Sequence, residues 1–539
     1  MTDGPSVASV MADFINEAGV PYVFGYPGTS NIEFMEGARQ RGVETVLARR
    51  EPTAAFMAEG LSMATGGLGV CLSTLGPGST ALVNGVAAAQ LDRVPMLAIS
   101  GQIGTAKEPF FTHQVVEHER LFAPISKWAG RVDAGSTATI MRKALRLATA
   151  ERPGAVHLTT NADVAKATTT TDDEVVLPPM EAAAVAGQVH RRPGTADPTA
   201  SLREARRPVI VAGIAAVRAG ATPELVRLAE EEGIPVVVAP MAKGVFPENH
   251  PMFAGVIDMA CNQVIWDFLA DADLVLAVGF DPVELIKPWE IDTPVVHVDA
   301  VANTDQIYRA DVEVVGAIPA LLDWLREEAA SGPAWSEADL APHRARLTDE
   351  YYRGRVDGRL NPTDVVDAVR AALPREAIVT TDVGSHKLLV GQGWTTYEPR
   401  TSLMSNGLSS MGFGLPAAIG AQLAVPGAPV AAIIGDGGFA MVQGELQLAS
   451  SLGLGIVVVV LVDGSLNRIE LKQQALGYPS TATRIEESDL VRLAEAMGCD
   501  GERTDDLATL EKALEGSAGR DRPLVIEAHI DPAQYLSQF

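Results

Sequence analysis

Cysteine, basic residues and long apolar runs are all scarce in this 539-residue chain. Its three cysteines, Cys71, Cys261 and Cys499, lie far apart, which leaves no disulfide framework and no paired thiolate ligands and fits a reduced, cytoplasmic setting. Lys and Arg number 42 against 68 Asp and Glu, a formal net charge of −26 that repels phosphate backbones and anionic lipid. No role on nucleic acid or at a membrane is therefore expected. The longest apolar run, residues 456–462, is too short to span a bilayer, and no basic stretch followed by an apolar core marks a secretory leader. What the chain does have is 47 % hydrophobic and 20 % charged residues, enough for several cores at roughly 150 residues per domain. Any anionic ligand must be held by local features.

Periodicity points to alternating helices and strands. Val7, Val10, Met11, Phe14 and Ile15 fall on one helical face, and residues 20–24 follow Gly19 as a buried strand. Apolar runs at 43–47, 69–74 and 95–100 are separated by alanine-rich helical stretches. The pattern resumes with runs at 208–212, 235–238, 274–278 and 294–298, and again at 377–381, 430–434, 456–462 and 524–528. It predicts an α/β protein of three consecutive α/β domains with mainly parallel sheets. These cover residues 1–166, 199–331 and 359–539, joined by linkers at 167–198 and 332–358.

A partial repeat joins the outer domains. Gly76-Pro-Gly-Ser-Thr-Ala-Leu-Val-Asn-Gly85 and Gly435-Asp-Gly-Gly-Phe-Ala-Met-Val-Gln-Gly444 share the pattern G-x-G-x-x-A-x-V-x-G, each between an apolar strand and a helix. Chance similarity of two strand-turn-helix units is the competing reading. Glycines let backbone amides approach a diphosphate, although a dinucleotide-binding turn has the same ingredients. Asp436 inside the turn would repel a diphosphate unless a divalent cation lay between them. Asp463, directly after the next strand, supplies a second hard oxygen at an adjacent strand end. A helix-capping acid and a turn acid would look the same in isolation.

At this point the residues resemble a known family. Gly435-Asp436-Gly437 followed by Asp463-Gly464-Ser465-Leu466-Asn467 is similar to the fingerprint of thiamine-diphosphate enzymes. Tyr26-Pro27-Gly28, Arg50-Glu51, Leu75-Gly76-Pro77-Gly78, Asp382-Val383-Gly384 and the stretch Gly407-Leu408-Ser409-Ser410-Met411-Gly412-Phe413-Gly414-Leu415-Pro416 resemble landmarks of the acetolactate synthase group. The resemblance implies Mg²⁺ held by the side chains of Asp436 and Asp463 and the carbonyl of Ser465. It places Glu51, Gly76, Gly384, Ser385, His386, Gly407, Ser409, Met411, Gly435, Asp436, Gly437, Gly438, Asp463, Ser465, Leu466 and Asn467 around thiamine diphosphate. Glu51 then shares a proton with the aminopyrimidine ring, and its carboxyl, expected to be buried among Ala54, Ala55 and Phe56, has a raised pKa. Otherwise Glu51 is a first-turn acid at a helix start, with Pro52 beside it. Met411 props the cofactor in its bent form, or is an ordinary core methionine. Arg50 stands where relatives often carry His.

The same resemblance assigns Gly28, Thr29, His113 and Gln114 to the reacting carbonyl, where amide donors can stabilise an alkoxide. A surface loop is the default for an isolated His-Gln pair. His113-Gln114 and Val278-Gly279-Phe280-Asp281-Pro282-Val283-Glu284 are closest in pattern to the catabolic, flavin-independent acetolactate synthases, so FAD is not expected. Where that group places Met, Val and then Trp or Gln, this chain has Arg468, Ile469 and Lys472. Arg468 and Lys472 share a helix face, either as a solvated stripe or as partners for an anionic acceptor. The implied activity is a carboligase that decarboxylates a 2-oxo acid, pyruvate by default, and transfers the acyl-anion equivalent to an acceptor carbonyl. A decarboxylase or lyase releasing an aldehyde is the alternative, with a non-catalytic binding homologue or a nicotinamide dehydrogenase as readings of another class. The family also implies a homodimer or homotetramer, with Glu51 of one subunit facing the diphosphate site of another.

Overall fold

The computed structural model describes residues 4–169, 175–179, 187–329, 332, 334–486 and 488–538. The chain divides into two compact units: Met1–Glu181 with Gly407–Pro426 and Val442–Leu452, and Ala182–Asn406 with Gly427–Met441 and Gly453–Phe539.

The first unit is built on a parallel sheet of β1 (Tyr22–Gly25), β2 (Glu44–Leu47), β3 (Gly69–Ser73), β4 (Met96–Gln102), β5 (Trp128–Arg131) and β6 (Ala155–Asn161). Their spatial order is β2-β1-β3-β4-β6-β5, with Phe24 paired to Cys71 and Gly25 to Leu72. The Val7–Glu17 helix, capped by Ser6, lays Val7, Val10, Met11, Phe14 and Ile15 into the core, the face its spacing predicts. The Glu51–Thr65 helix is crossed at close range by the Gly414–Ala424 helix. A Cβ on Gly60 would lie 2.2 Å from the Ala417 carbonyl oxygen, and one on Gly420 1.9 Å from that of Met57. Only glycine permits that approach, which fixes the helix carrying Glu51.

The second unit holds two sheets over one continuous hydrophobic core. The central sheet comprises β7 (Gln188–Arg191), β8 (Pro208–Ala212), β9 (Val236–Val238), β10 (Phe253–Val256), β11 (Leu274–Val278), β12 (Val295–Asp299) and β13 (Val312–Val315), in the order β10-β9-β8-β11-β12-β13-β7, parallel except for β7. The other contains β14 (Ile378–Thr381), β15 (Ser402–Met404), β16 (Val430–Gly435), β17 (Val457–Val462), β18 (Asp500–Thr504) and β19 (Leu524–His529). Its order, β15-β14-β16-β17-β19-β18, reproduces that of the first unit strand for strand.

Both stretches read as linkers contain structure. In 167–198, β7 pairs with β13 although all four of its residues are exposed, so no apolar pattern announces it. Residues 170–174 and 180–186 of that stretch lie outside the described residues. In 332–358, where residue 333 also lies outside them, Ser336 and Asp339 form a capping box that starts a Glu337–Tyr351 helix. Pro342 inside this helix obscures it in the sequence, while Leu340, Leu347 and Tyr351 face inward. Among the described residues no helix is long and apolar enough to cross a membrane.

Candidate active site

Each outer sheet reverses its strand order between its first and third strands, and a parallel sheet opens a crevice beyond its C-terminal edge at such a reversal. Both glycine turns of the repeat sit there.

In the first unit, Gly28 follows β1 and Gly76 follows β3. The Gly28 N–H donates to Asn31 Oδ1 (2.9 Å), and a Cβ on Gly28 would come within 1.9 Å of Thr74 Oγ1, so the two strand ends touch. Glu51 opens the Glu51–Thr65 helix after β2. Ala54, Ala55 and Phe56 are buried as expected, but Glu51 itself is only partly so, which corrects the expected enclosure. As the first helical residue it projects across the glycine turn, with Oε1 2.9 Å from where a Cβ on Gly78 would stand. The Gly76 N–H donates to the Gln114 carbonyl (2.9 Å), bringing Gln114 to the same edge in a left-handed backbone conformation (φ 60°). Thr29, His113 and Gln114 are exposed. The segment with Gly407, Ser409 and Met411 belongs to this unit too. The Gly407 N–H donates to Asp92 Oδ1 (2.5 Å), Asn84 Nδ2 donates to Ser410 Oγ (2.8 Å), and Met411 is partly buried.

In the second unit the turn after β16 carries its acid inward. Asp436 Oδ1 accepts from the Gly437 N–H (2.7 Å), and Oδ2 accepts from the N–H groups of Gly464 (2.8 Å) and Asp463 (3.3 Å). One carboxylate thus ties together the ends of β16 and β17. Asp463 Oδ1 accepts from the Ser465 N–H (3.0 Å). Burial raises the pKa of both acids, and for Asp463 the neighbouring Asp436 charge helps push it up to about 7. Two desolvated carboxylates at adjacent strand ends are the situation a divalent cation relieves. Among the described residues no three His, Cys, Asp or Glu side chains cluster as a metal site. A cation bound here would need further oxygens from backbone, water or a ligand. Ser385 Oγ donates to Asn467 Oδ1 (3.2 Å), joining the start of the Ser385–Gly393 helix to this edge. His386 is buried against Gly384 and Gly435, and burial lowers its pKa to about 4.

Beyond Asp463 the chain makes an excursion that returns on itself. The Leu466 N–H donates to Thr483 O (2.7 Å) and the Ile485 N–H to Gly464 O (2.9 Å), while Ser465 Oγ and Arg484 both hydrogen-bond Glu470. The Asn467–Ala475 helix within it turns Glu470 inward and leaves Arg468, Ile469 and Lys472 exposed. Sequence patterns single out the acids and glycines, Asp382 among them as part of a family landmark, but not Asp92 or Glu470. Asp382 lies under the second turn, 2.6 Å from where a Cβ on Gly438 would stand. It stands directly after β14, one of the two strands that border the switch.

Three family comparisons cover most of the chain. The N-terminal TPP binding domain of thiamine pyrophosphate enzymes matches residues 5–121, the central domain of those enzymes residues 197–325, and their C-terminal TPP binding domain residues 382–528. The acetolactate synthase of Bacillus subtilis is 29 % identical over 97 % of this chain and 93 % of its own length. A probable acetolactate synthase large subunit of Methanocaldococcus jannaschii is 30 % identical over 98 % of this chain and 92 % of its own. The acetolactate synthase large subunit of Mycobacterium tuberculosis is 32 % identical over 95 % and 86 %. Similarity at this level, sustained from one glycine turn to the other and across the sheet between them, means that the chain belongs to the acetolactate synthase family of thiamine-diphosphate-dependent enzymes.

Proposed function

We propose that the protein is a carboligase that decarboxylates a 2-oxo acid, with pyruvate as donor, and joins the remaining two-carbon unit to the carbonyl carbon of an acceptor bearing an anionic group. The observation that carries this reading is the meeting of Asp436 and Asp463 at the β16 and β17 ends. Their carboxylates, with the Ser465 carbonyl, suit Mg²⁺ beside a diphosphate. Thiamine diphosphate supplies, when bound, a carbanion that adds to a 2-oxo carbonyl and takes up the electrons released with CO₂. Glu51 holds the proton exchanged with the aminopyrimidine ring, Gly78 keeping the space beneath its carboxyl clear. The Gln114 amide and the Thr29 backbone N–H donate to the donor carbonyl oxygen, which Gly28, its own N–H held by Asn31, also lines. Lys472 and Arg468, exposed on one helical turn, pair with a carboxylate, sulfonate or phosphate on the acceptor.

A flavin-free central domain is part of the same proposal. Glu284 Oε2 accepts from the Ile214 N–H (2.9 Å) directly after β8, and Glu284 is fully buried. A buried carboxylate at this helix start disfavours an anionic nucleotide phosphate in the same place. The family's pairing of subunits around the cofactor is proposed for this chain as well, with sedimentation as its check.

Mass spectrometry of the products from pyruvate, Mg²⁺ and thiamine diphosphate with a panel of aldehyde and oxo-acid acceptors tests the reading. A carbon–carbon coupled product, most abundant with anionic acceptors, is expected. Acetaldehyde without any coupled product would overturn the carboligase in favour of a decarboxylase.

A further inference from the structure

Behind the glycine turn of the first unit lies a buried polar cluster with no part in the reaction proposed above. Ser73 Oγ and Ser100 Oγ are 2.8 Å apart, Ser100 Oγ is 2.8 Å from His157 Nε2, and Phe122 stacks on the His157 ring at 3.8 Å. Beside it, Ser79 Oγ donates to the Leu75 carbonyl (2.9 Å) and lies 2.8 Å from His118 Nε2. Ser79 and His118 are both fully buried. Because the Ser79 hydroxyl hydrogen is engaged by Leu75, the hydrogen-bond network assigns the His118 proton to Nε2 and leaves Nδ1 without a partner among the described residues. Burial keeps the ring neutral, its pKa lowered to about 4, with Glu119, Arg131 and Glu108 as the charged groups around it.

His118 stands four residues beyond Gln114, whose left-handed backbone is uncommon for a residue with a side chain. Apolar burial does not anchor the segment before Gln114, since Phe110 and Phe111 are 74 % and 44 % exposed. Three hydrogen bonds tie residues 114–118 to the helix and sheet beneath instead: Gly76 N–H to Gln114 O (2.9 Å), Gln102 Nε2 to Val116 O (3.1 Å), and His118 Nε2 to Ser79 Oγ (2.8 Å). The first and last come from the opening turn of the Gly76–Leu91 helix, the turn whose Gly78 lies beneath Glu51 Oε1.

We infer that His118, acting through Ser79, is a positioning residue that fixes Gln114 relative to Glu51 and so sets the donor carbonyl against the group that holds the proton. The inference rests on the assignment of Gln114 and Glu51 to the proposed reaction.

Steady-state kinetics of the full-length holoenzyme tests it. His118→Leu removes the donor while keeping bulk, and Ser79→Ala removes the acceptor together with the hydroxyl's own bond to the Leu75 carbonyl. Each is expected to raise the donor KM by roughly fivefold to tenfold, the loss of the buried hydrogen bond they share. The thiamine diphosphate dissociation constant, read by tryptophan fluorescence, should stay within about twofold of wild type, because no cofactor contact is removed. The double variant should be no worse than Ser79→Ala alone, since that change already cuts the bond to His118. His118→Gln, which keeps an N–H donor, should recover most of the donor KM. An unchanged donor KM with lowered kcat or weakened cofactor binding would mean a packing role and overturn the inference, as would additive effects in the double variant. If His118→Leu fails to fold, Ser79→Ala decides the matter. A fully active Glu51→Gln would remove the reading of the site itself. An inactive Glu51→Gln beside an unaffected Ser79→Ala would leave the site standing and remove this inference alone.

Discussion

The two outer sheets share one strand order and one device, a glycine turn where that order reverses, but the turns are furnished differently. Gly76-Pro77-Gly78 carries no acid and acts as a floor, for the Gln114 backbone on one side and the Glu51 carboxyl on the other. Gly435-Asp436-Gly437 carries its acid within the turn, where three backbone N–H groups hold it in place and Asp463 meets it. The shared backbone repeats the turn, and the side chains around it differ: in the proposed reaction the first turn lies beneath a proton-handling group and the second carries a metal-holding pair.

The sharpest way to separate the two is to disable one end at a time. Glu51→Gln should reduce kcat by roughly 10²–10⁴-fold, the usual span for losing a positioned acid–base group, with cofactor affinity retained. Rapid-quench turnover beside a binding titration checks it. The floors themselves come next. In Gly78→Ala the new Cβ would stand 2.9 Å from Glu51 Oε1, the free end of a partly exposed side chain that can move aside. Melting should barely change, while kcat falls by roughly 10²-fold for a carboxyl displaced by about an ångström. In Gly438→Ala the Cβ would stand 2.6 Å from Asp382 Oδ2, which is buried and cannot retreat. That variant should lose thermal stability and cofactor affinity together. Equal behaviour of the two alanine variants would erase the distinction between the turns.

These contrasts also mark what is legible in the sequence. The repeat motif, Asp436 and Asp463 are visible because a turn must place glycine and acid at set positions, and buried strands such as β8 and β17 are unbroken apolar runs. Some edge strands are not. β7 is fully exposed and β18 reads Asp-Gly-Glu-Arg-Thr, because an edge needs no continuous apolar side. Residues that act through tertiary contact leave no local pattern either. Asp92 meets Gly407 across 315 positions, and His118 meets Ser79 across 39. The burial expected for Glu51 fails for a related reason: helical spacing identifies a packed face but not the direction of the first residue, which here leans toward another strand's turn.

Smaller effects refine the contrast. Lys472→Ala should raise the KM of an anionic acceptor by roughly tenfold, the loss of one charge-assisted hydrogen bond, and leave the donor KM alone. Competition kinetics between an anionic and a neutral acceptor measures it. The least effect concerns acid stability. The folded-state pKa of His118 lies at about 4, below the ordinary 6.5, because burial disfavours its charged form. Its contribution is therefore complete above pH 6.5 and is lost as pH falls through 4. A His118→Gln variant should show a shallower fall in Tm across that window. His157, buried and lowered in the same sense, accounts for part of what remains.

Calorimetric titration of thiamine diphosphate, with Mg²⁺ and again with a chelator, tests the division of labour most directly. Wild type and Glu51→Gln should bind with similar affinity and only when Mg²⁺ is present, whereas Asp436→Ala should bind in neither condition. Metal-independent binding by the wild type, or Mg²⁺-dependent binding of undiminished affinity by Asp436→Ala, would contradict the account.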